Sequence, residues 1–135
     1  MTRIFMMKLD KIQPSQLYIS FEKFSEIMKK INFEIPTSIE PIPVKRFGNE
    51  IVFVDGHTRA FAAFLCGFFE VPVYWENEKL DWDAYKICVK RCKKEGIQSI
   101  ADLKGRVVPH GQYEKLWYKR CEKMQKTLKA ERKRQ

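Results

Sequence analysis

The sequence lacks any apolar run of the roughly 18 residues that a membrane-spanning helix needs. Its N-terminal apolar stretch is interrupted by Lys8 and Asp10, so we expect no signal peptide. The sequence also lacks internal repeats, low-complexity tracts and any C-x-x-C pair, the spacing of the usual redox and zinc-knuckle motifs. These absences favour a cytoplasmic protein with reduced cysteines and no membrane partner.

What the chain does contain is enough apolar material for one compact domain. Of its 135 residues, 44% are hydrophobic and 32% are charged, which is typical of globular chains. The net charge is +9 and is unevenly distributed. Residues 1–76 contain 9 basic and 9 acidic side chains, whereas residues 77–135 contain 17 and 8. We therefore expect a domain over residues 1–76 and a basic helical extension over residues 77–135.

The chain contains both strand and helix patterns, as in an α+β protein. An N-terminal segment rich in β-branched and aromatic residues is typical of an edge strand, and Ser20 is placed to cap an amphipathic helix. Two strands separated by Gly48-Asn49 indicate a hairpin, which an apolar helix and a third strand follow. In the extension, Asp81 is placed to cap a helix. A last helix is expected from about Gln112, fraying after Leu128.

Residues 54–59, Val-Asp-Gly-His-Thr-Arg, place polar side chains where an apolar strand meets an apolar helix. The first turn of a helix has unpaired backbone N–H groups and partial positive charge, so it attracts anions. Gly56 would permit close backbone approach, Thr58 would add a hydroxyl, and Arg59 would offer a planar fork to phosphate oxygens. His57 could donate, accept or carry a proton. These four residues are the predicted phosphate site.

Two interpretations of this segment remain open. In the functional one, Asp55 is a catalytic residue that positions Mg²⁺ or orients His57. In the structural one, Asp-Gly is an ordinary turn, Thr58 is a helix cap and Arg59 pairs with Asp55. The local spacing alone does not decide between them.

Four segments occur in an order that resembles the core of the ParB/sulfiredoxin-like superfamily. They are Ile12-Gln13-Pro14-Ser15, Pro41-Ile42-Pro43-Val44, Gly56-His57-Thr58-Arg59 and Val71-Pro72-Val73. The resemblance covers about residues 8–75 and implies a small mixed sheet with helices. It does not extend to residues 77–135.

The resemblance carries functional expectations residue by residue. Sulfiredoxins have their catalytic cysteine where this chain has His57, so sulfiredoxin activity is not expected. In ParB the turn binds the triphosphate of CTP. Gly56 and Arg59 match that turn, whereas His57 and Thr58 depart from it, which leaves the choice of nucleobase open. The Asp-Gly-His-His-Arg turn of the free serine kinases of this fold is most similar, and it implies that Glu22 corresponds to their N-terminal catalytic base.

Other residues offer weaker candidates. Cys88, Cys92, His110 and Cys121 could hold a structural zinc, but their spacing is not a standard one, and free cysteines often fill core space. A second set, of aromatic residues on the apolar stripes of two predicted helices, could stack on bases but is more typical of core packing. Its members are Trp82, Tyr85, Tyr113 and Trp117.

The last predicted helix is rich in basic residues. Lys119, Lys123, Lys126 and Lys129 could contact the phosphates of DNA, or they could form a solvated helix face. Two hypotheses follow. In the first, the protein is a nucleotide-dependent phosphotransferase or NTPase that binds a nucleotide or phosphorylated small molecule with Mg²⁺ at residues 55–59. In the second, it is a non-enzymatic DNA-associated module that uses the basic helix.

Overall fold

The computed structural model describes residues 2–32 and 34–134 and has the α+β organisation that the sequence predicts. Its strands are β1 (Phe5–Lys8), β2 (Ile12–Gln13), β3 (Ile19–Ser20), β4 (Ile42–Phe47), β5 (Glu50–Phe53), β6 (Glu70–Trp75) and β7 (Val107–Val108). Its α-helices are α1 (Phe21–Met28), α2 (His57–Leu65), α3 (Trp82–Lys94), α4 (His110–Tyr113) and α5 (Lys119–Lys133). A π-helical segment, Glu114–Tyr118, joins α4 to α5.

Five strands form one mixed sheet in the order β1-β6-β4-β5-β2. The predicted hairpin is confirmed, because β4 and β5 pair antiparallel on either side of the turn that contains Gly48. Helix α2 leads from β5 to β6, which pairs parallel with β4. The predicted edge strand is also confirmed, since β1 lies at one end of the sheet and pairs antiparallel with β6. The α2 N-terminus is therefore held at the end of an interior strand.

Most buried apolar side chains of the described residues belong to one cluster, which crosses the expected boundary at residue 76. Leu17, Ile19 and Phe61 belong to it, and so do Ile100 and Leu103 from the extension. A second link is made by β3 and β7, which pair as a separate two-stranded sheet. The division into a domain and an extension stays a prediction about chain organisation, but both parts share this core.

The C-terminal helix is longer than the sequence indicates. It begins at His110 rather than Gln112 and continues through the π-helical segment to Lys133. Beyond Leu128, where fraying is expected, Arg132 donates two hydrogen bonds to the Asp81 carboxylate at the start of α3. None of the helices in residues 2–32 and 34–134 combines the length and apolarity that crossing a bilayer requires.

Candidate functional site

Residues 54–59 form the strand–turn–helix arrangement that the sequence predicts. Asp55 is exposed, and its Oδ1 accepts a hydrogen bond of 2.8 Å from the backbone N–H of Gly56. Gly56 has φ +74°, in the left-handed region, and is the residue from which α2 starts. Among the residues that the structure describes, no side chain caps this helix, in contrast to α1 and α3. The first backbone N–H groups of α2 therefore keep the capacity to bind an anion.

His57 lies in the protein interior, although it was expected among the phosphate-binding and catalytic groups. It is 3% exposed. Its Nε2 accepts a hydrogen bond of 2.9 Å from the backbone N–H of Ser15, whose hydroxyl donates to the carbonyl oxygen of Phe53 at 2.7 Å. Because a backbone N–H can only donate, Nε2 carries no proton and the neutral ring holds its proton on Nδ1. Within the described part of the chain, Nδ1 has no hydrogen-bond partner.

This environment determines the protonation state of His57. Burial lowers its pKa from 6.5 to about 4, while the nearby Asp55 carboxylate opposes the shift. A charged imidazole would also place a second donor against the Ser15 N–H. His57 is therefore neutral near pH 7, and its ring connects the turn to the segment before β3.

Arg59 is held by backbone carbonyls and a carboxylate. Its Nη1 donates to the carbonyl oxygen of Pro41 at 3.1 Å and lies 3.5 Å from Oε2 of Glu40. The side chain is 20% exposed. The structural interpretation expected Arg59 to pair with Asp55, but its ion pair among the described residues is with Glu40. The Nη2 and Nε groups have no such partner and are the donors that could meet a ligand.

Gly56 and Arg59 are matched to each other in space. A Cβ atom placed on Gly56 would lie 2.7 Å from Nη2 of Arg59 and 3.1 Å from its Cζ. Since Cβ atoms do not approach other heavy atoms that closely, any other residue at position 56 would displace the guanidinium. The glycine thus serves both the left-handed turn and the position of Arg59.

Carboxylates outnumber cations around this turn. Glu76, Asp55 and Glu40 all act to raise the pKa of Tyr74, after the larger effect of its burial, and Arg59 acts to lower it. Three carboxylates and one guanidinium are therefore close enough to this tyrosine to shift its pKa. A phosphate group arriving here would be repelled by the carboxylates unless a cation accompanied it.

The four segments that carry the sequence resemblance meet in the structure. Ser15 of the first segment contacts His57 of the third, and Arg59 of the third contacts Pro41 of the second. Pro43 accepts a hydrogen bond from the N–H of Val54, and β4 lies beside β6, which contains the fourth segment. The role of Ser15 was not foreseen from the sequence. The one sequence feature that could have indicated this role was the place of Ser15 in the segment Ile12-Gln13-Pro14-Ser15.

Glu22, the predicted base, lies in the first turn of α1. Its Oε2 accepts a hydrogen bond of 2.6 Å from the backbone N–H of His110, so it caps the start of α4. No hydrogen bond or ion pair among the described residues joins Glu22 to the turn at residues 55–59. Asp55 and Arg59 are thus brought together at the turn, and Glu22 is engaged elsewhere.

The candidate zinc residues are not gathered into one group. His110 contacts Ser20 through Nδ1 at 2.9 Å and Glu114 through Nε2 at 3.2 Å. No cluster of three or more histidine, cysteine or acidic side chains with metal-binding geometry occurs in the described ranges. Cys88 and Cys121 do meet, across α3 and α5.

The aromatic residues that could have stacked on bases divide into two sets. Tyr113 and Trp117 are buried in the core, as the packing interpretation predicts. Trp82 and Tyr85 are partly exposed and stack on each other, with ring centroids 5.3 Å apart.

The four predicted DNA-contacting lysines of α5 are all exposed: Lys119, Lys123, Lys126 and Lys129. None of them forms an ion pair with another described residue, whereas Arg120 and Arg132 of the same helix are paired with acidic side chains of α3 and its flanks. A groove of about 770 Å³ separates α5 from α3, and Arg91 and Lys94 line its α3 side. The basic surface therefore includes both helices.

Comparisons with known proteins concern the fold alone. Searches with protein-family models and against curated proteins find no match. The structure is similar to protein Atu1540 from Agrobacterium tumefaciens, with 13% identity, a TM-score of 0.46 and coverage of 73% of this chain and 50% of that one. It is also similar to the C-terminally truncated chromosome-partitioning protein ParB from Caulobacter crescentus complexed with CTP-gamma-S. That match has 20% identity, a TM-score of 0.44 and coverage of 68% and 53%. The chain spans about half the length of these two proteins, and membership of the ParB/sulfiredoxin-like superfamily stays a prediction from the sequence segments.

Proposed function

We propose that the protein binds a nucleotide or another phosphate ligand, together with Mg²⁺, at the turn formed by residues 55–59. The observation that carries this proposal is the start of α2, where no side chain of the described residues caps the backbone N–H groups that follow Gly56 and the Arg59 guanidinium lies beside Gly56. Backbone donors, a helix dipole and a planar cation are the groups that bind phosphate oxygens in proteins.

The surrounding carboxylates support the requirement for a metal ion. Asp55 is exposed at the end of β5 and would share Mg²⁺ with the phosphates, offsetting the repulsion from Glu40 and Glu76. Thr58 is half-buried at the second position of α2 and would add its hydroxyl to the same ligand. In this arrangement His57 acts as a positioning residue, because its neutral ring holds the turn against Ser15.

Whether the bound nucleotide reacts depends on a base, for which the candidates are Asp55 and Glu22. In a phosphotransferase or NTPase, Arg59 and the metal ion would stabilise the charge of the transferred group. Glu22 would have to leave the His110 N–H to take part. Asp55, which stands beside the phosphate site, is the better placed of the two.

Calorimetric titration tests the binding proposal. ATP, ADP and CTP, with and without Mg²⁺, are titrated into the wild-type protein and into Arg59→Ala, Arg59→Lys and Thr58→Ala. We expect binding to require Mg²⁺ and to weaken at least about tenfold in Arg59→Ala, since a charge-assisted hydrogen bond contributes about 1.5–3 kcal/mol. Arg46→Ala is the matched control, because Arg46 is exposed on β4 of the same sheet.

Thermal melts of each variant separate lost binding from lost folding. Arg59→Lys keeps a cation near Glu40, so a folded Arg59→Lys protein with weakened binding would support the role of the guanidinium fork. Absence of binding by every nucleotide to the wild-type protein, in the presence of Mg²⁺, would overturn the proposal.

A second candidate function is a non-enzymatic DNA-associated role for the basic surface, favoured by the unpaired lysine face of α5 and the basic groove beside it. Replacing Lys119, Lys123, Lys126 and Lys129 with glutamine should weaken binding to duplex DNA. It should also reduce the slope of log K against log salt by up to about 4. A matched variant removes four exposed lysines elsewhere: Lys8, Lys11, Lys29 and Lys30. Equal losses in both variants would indicate an effect of net charge rather than a docking surface.

A further inference from the structure

A small cavity lies between the turn at residues 55–59 and the C-terminal helices. Its volume is about 230 Å³, and its walls include His57, Tyr85 and Trp117. Two cysteines on facing helices also line it: Cys88 from α3 and Cys121 from α5. Both cysteines therefore border the same cavity, which is large enough for a small solute.

The two side chains lie close together in the cavity wall, and their interaction affects them in opposite ways. The Cys121 thiol lowers the pKa of Cys88, and the nearby Arg91 acts in the same direction. The same contact raises the pKa of Cys121, which keeps its proton. Cys88 is 8% exposed and Cys121 is half-buried, so Cys121 is the more open of the two.

The other cysteines have neither a thiol partner nor a lowered pKa. Burial raises the pKa of Cys92 to about 12 and also raises that of Cys66. Since the thiolate is the reactive form of cysteine, Cys88 is the most readily activated of the four.

We propose that Cys88 and Cys121 form a redox-active pair that a hydroperoxide oxidises to a disulfide joining α3 to α5. The pair's position in the wall of a cavity, its contact across two helices and the cation beside it carry the inference. It is independent of the ligand bound at residues 55–59.

The chemistry proceeds in two balanced steps. The Cys88 thiolate attacks one oxygen of hydrogen peroxide, the O–O bond breaks, and a sulfenic acid and hydroxide form. Cys121, after losing its proton to that hydroxide, attacks the Cys88 sulfur, the S–O bond breaks, and hydroxide leaves and is protonated to water. In total, two thiols and one peroxide give one disulfide and two waters. The disulfide fastens α5 to α3 and closes one wall of the cavity.

The first test needs no variant. The reduced full-length protein is treated with stepwise additions of hydrogen peroxide, and its free thiols, intact mass and disulfide-linked peptides are measured. We expect two of the four thiols to be lost, a mass lower by two hydrogens and a linked peptide containing Cys88 and Cys121. Reduction with dithiothreitol should reverse all three, and the oxidised protein should melt at a higher temperature because the crosslink restricts the unfolded chain.

Four variants, each with one cysteine replaced, then identify which thiols form the disulfide. Cys66→Ser and Cys92→Ser should oxidise like the wild type, whereas Cys88→Ser and Cys121→Ser should form no intramolecular disulfide. Accumulation of sulfenic acid on Cys88 in Cys121→Ser, detected by dimedone labelling, would support the order of the steps. The proposal is overturned if the wild type retains both thiols at peroxide doses that oxidise Cys66, or if the linked peptide contains Cys66 or Cys92.

Discussion

At the scale of single residues, His57 shows how an interior contact changes what a motif residue can do. On a solvent-exposed turn, histidine would be a donor and a proton carrier near neutrality. Here the ring accepts from Ser15, packs with its centroid 5.5 Å from that of Phe53, and is removed from water. His57 is the residue that makes the motif a candidate for catalysis. Its buried, neutral ring is better suited to supporting the turn that contains Gly56 and Arg59.

This assignment predicts a dependence of stability on pH. The folded pKa of His57 is lowered to about 4, so between pH 6.5 and 4 the unfolded chain binds a proton that the folded protein does not. His57 should therefore cost no folding stability above pH 6.5. As the pH decreases from 6.5 towards 4, the free energy of unfolding should fall by about 3 kcal/mol from this group alone. Urea unfolding at a series of pH values measures the effect.

Matched variants isolate the histidine from the carboxylates that titrate in the same range. His57→Gln retains a hydrogen-bonding side chain but cannot be protonated, so its stability should change less than that of the wild type between pH 6.5 and 4. His110→Gln replaces the other histidine of the chain, and comparison of the two variants assigns the effect to position 57. Parallel curves for His57→Gln and wild type would contradict the buried neutral state.

A second prediction at this scale concerns Gly56. Alanine in a left-handed conformation costs roughly 1–2 kcal/mol, and at position 56 its Cβ would also displace the Arg59 guanidinium from its place 2.7 Å away. Gly67→Ala is a matched control, because Gly67 has φ +84° and open space around it. We expect Gly56→Ala to lower the free energy of unfolding by about 1 kcal/mol more than Gly67→Ala, the value of a lost hydrogen bond to Pro41. Equal costs would mean that Arg59 moves freely.

At the scale of elements, local signals located the caps of α1 and α3 and the turn between β4 and β5, whereas contacts between residues distant in sequence could not be predicted. Ser20 accepts from the Lys23 N–H and Asp81 from the Ala84 N–H, as their places before apolar periodicity predict. The persistence of α5 to Lys133 depends on Asp81, which is distant in sequence from Arg132. The same limit applies to the site. The position of the turn could be predicted, but the burial of His57 depends on Ser15, outside any local window.

The end of α5 gives the prediction for this scale. Arg132 donates from Nη1 and Nη2 to the two Asp81 carboxylate oxygens at 3.1 and 2.7 Å, and Nη2 also lies 3.4 Å from Asp83. Arg132→Gln should fray the last turns of α5, seen as faster amide exchange after Leu128. Lys133→Gln removes the same charge from the same turn without a described ion pair and should leave exchange unchanged. If both variants exchange alike, the helix end is held by other contacts.

At the scale of the whole molecule, the distribution of charge changes at residue 76, whereas the packing of the core continues across it. The excess of positive charge lies entirely in residues 77–135, but the hydrophobic core contains residues from both sides of that boundary. Gln13, which is buried, donates to the carbonyl of Ile97 at 2.8 Å, and the N–H of Ile19 donates to the carbonyl of Arg106 at 3.0 Å. The basic part therefore shares hydrogen bonds and core contacts with residues 1–76.

A fragment of residues 1–76 should therefore not fold on its own. Separating the fragment from the rest would expose Leu17 and Ile19, deprive β3 of its partner β7, and remove the Ile97 carbonyl to which Gln13 donates. Each buried polar group left unpaired costs about 1–3 kcal/mol, a large share of a small domain's stability. A chain ending at Leu128 is the control, because it loses Arg132 but none of the shared core. We expect cooperative thermal unfolding for this control and none for the fragment. Dispersed amide resonances from residues 1–76 alone would show instead that the boundary predicted from charge is a true domain boundary.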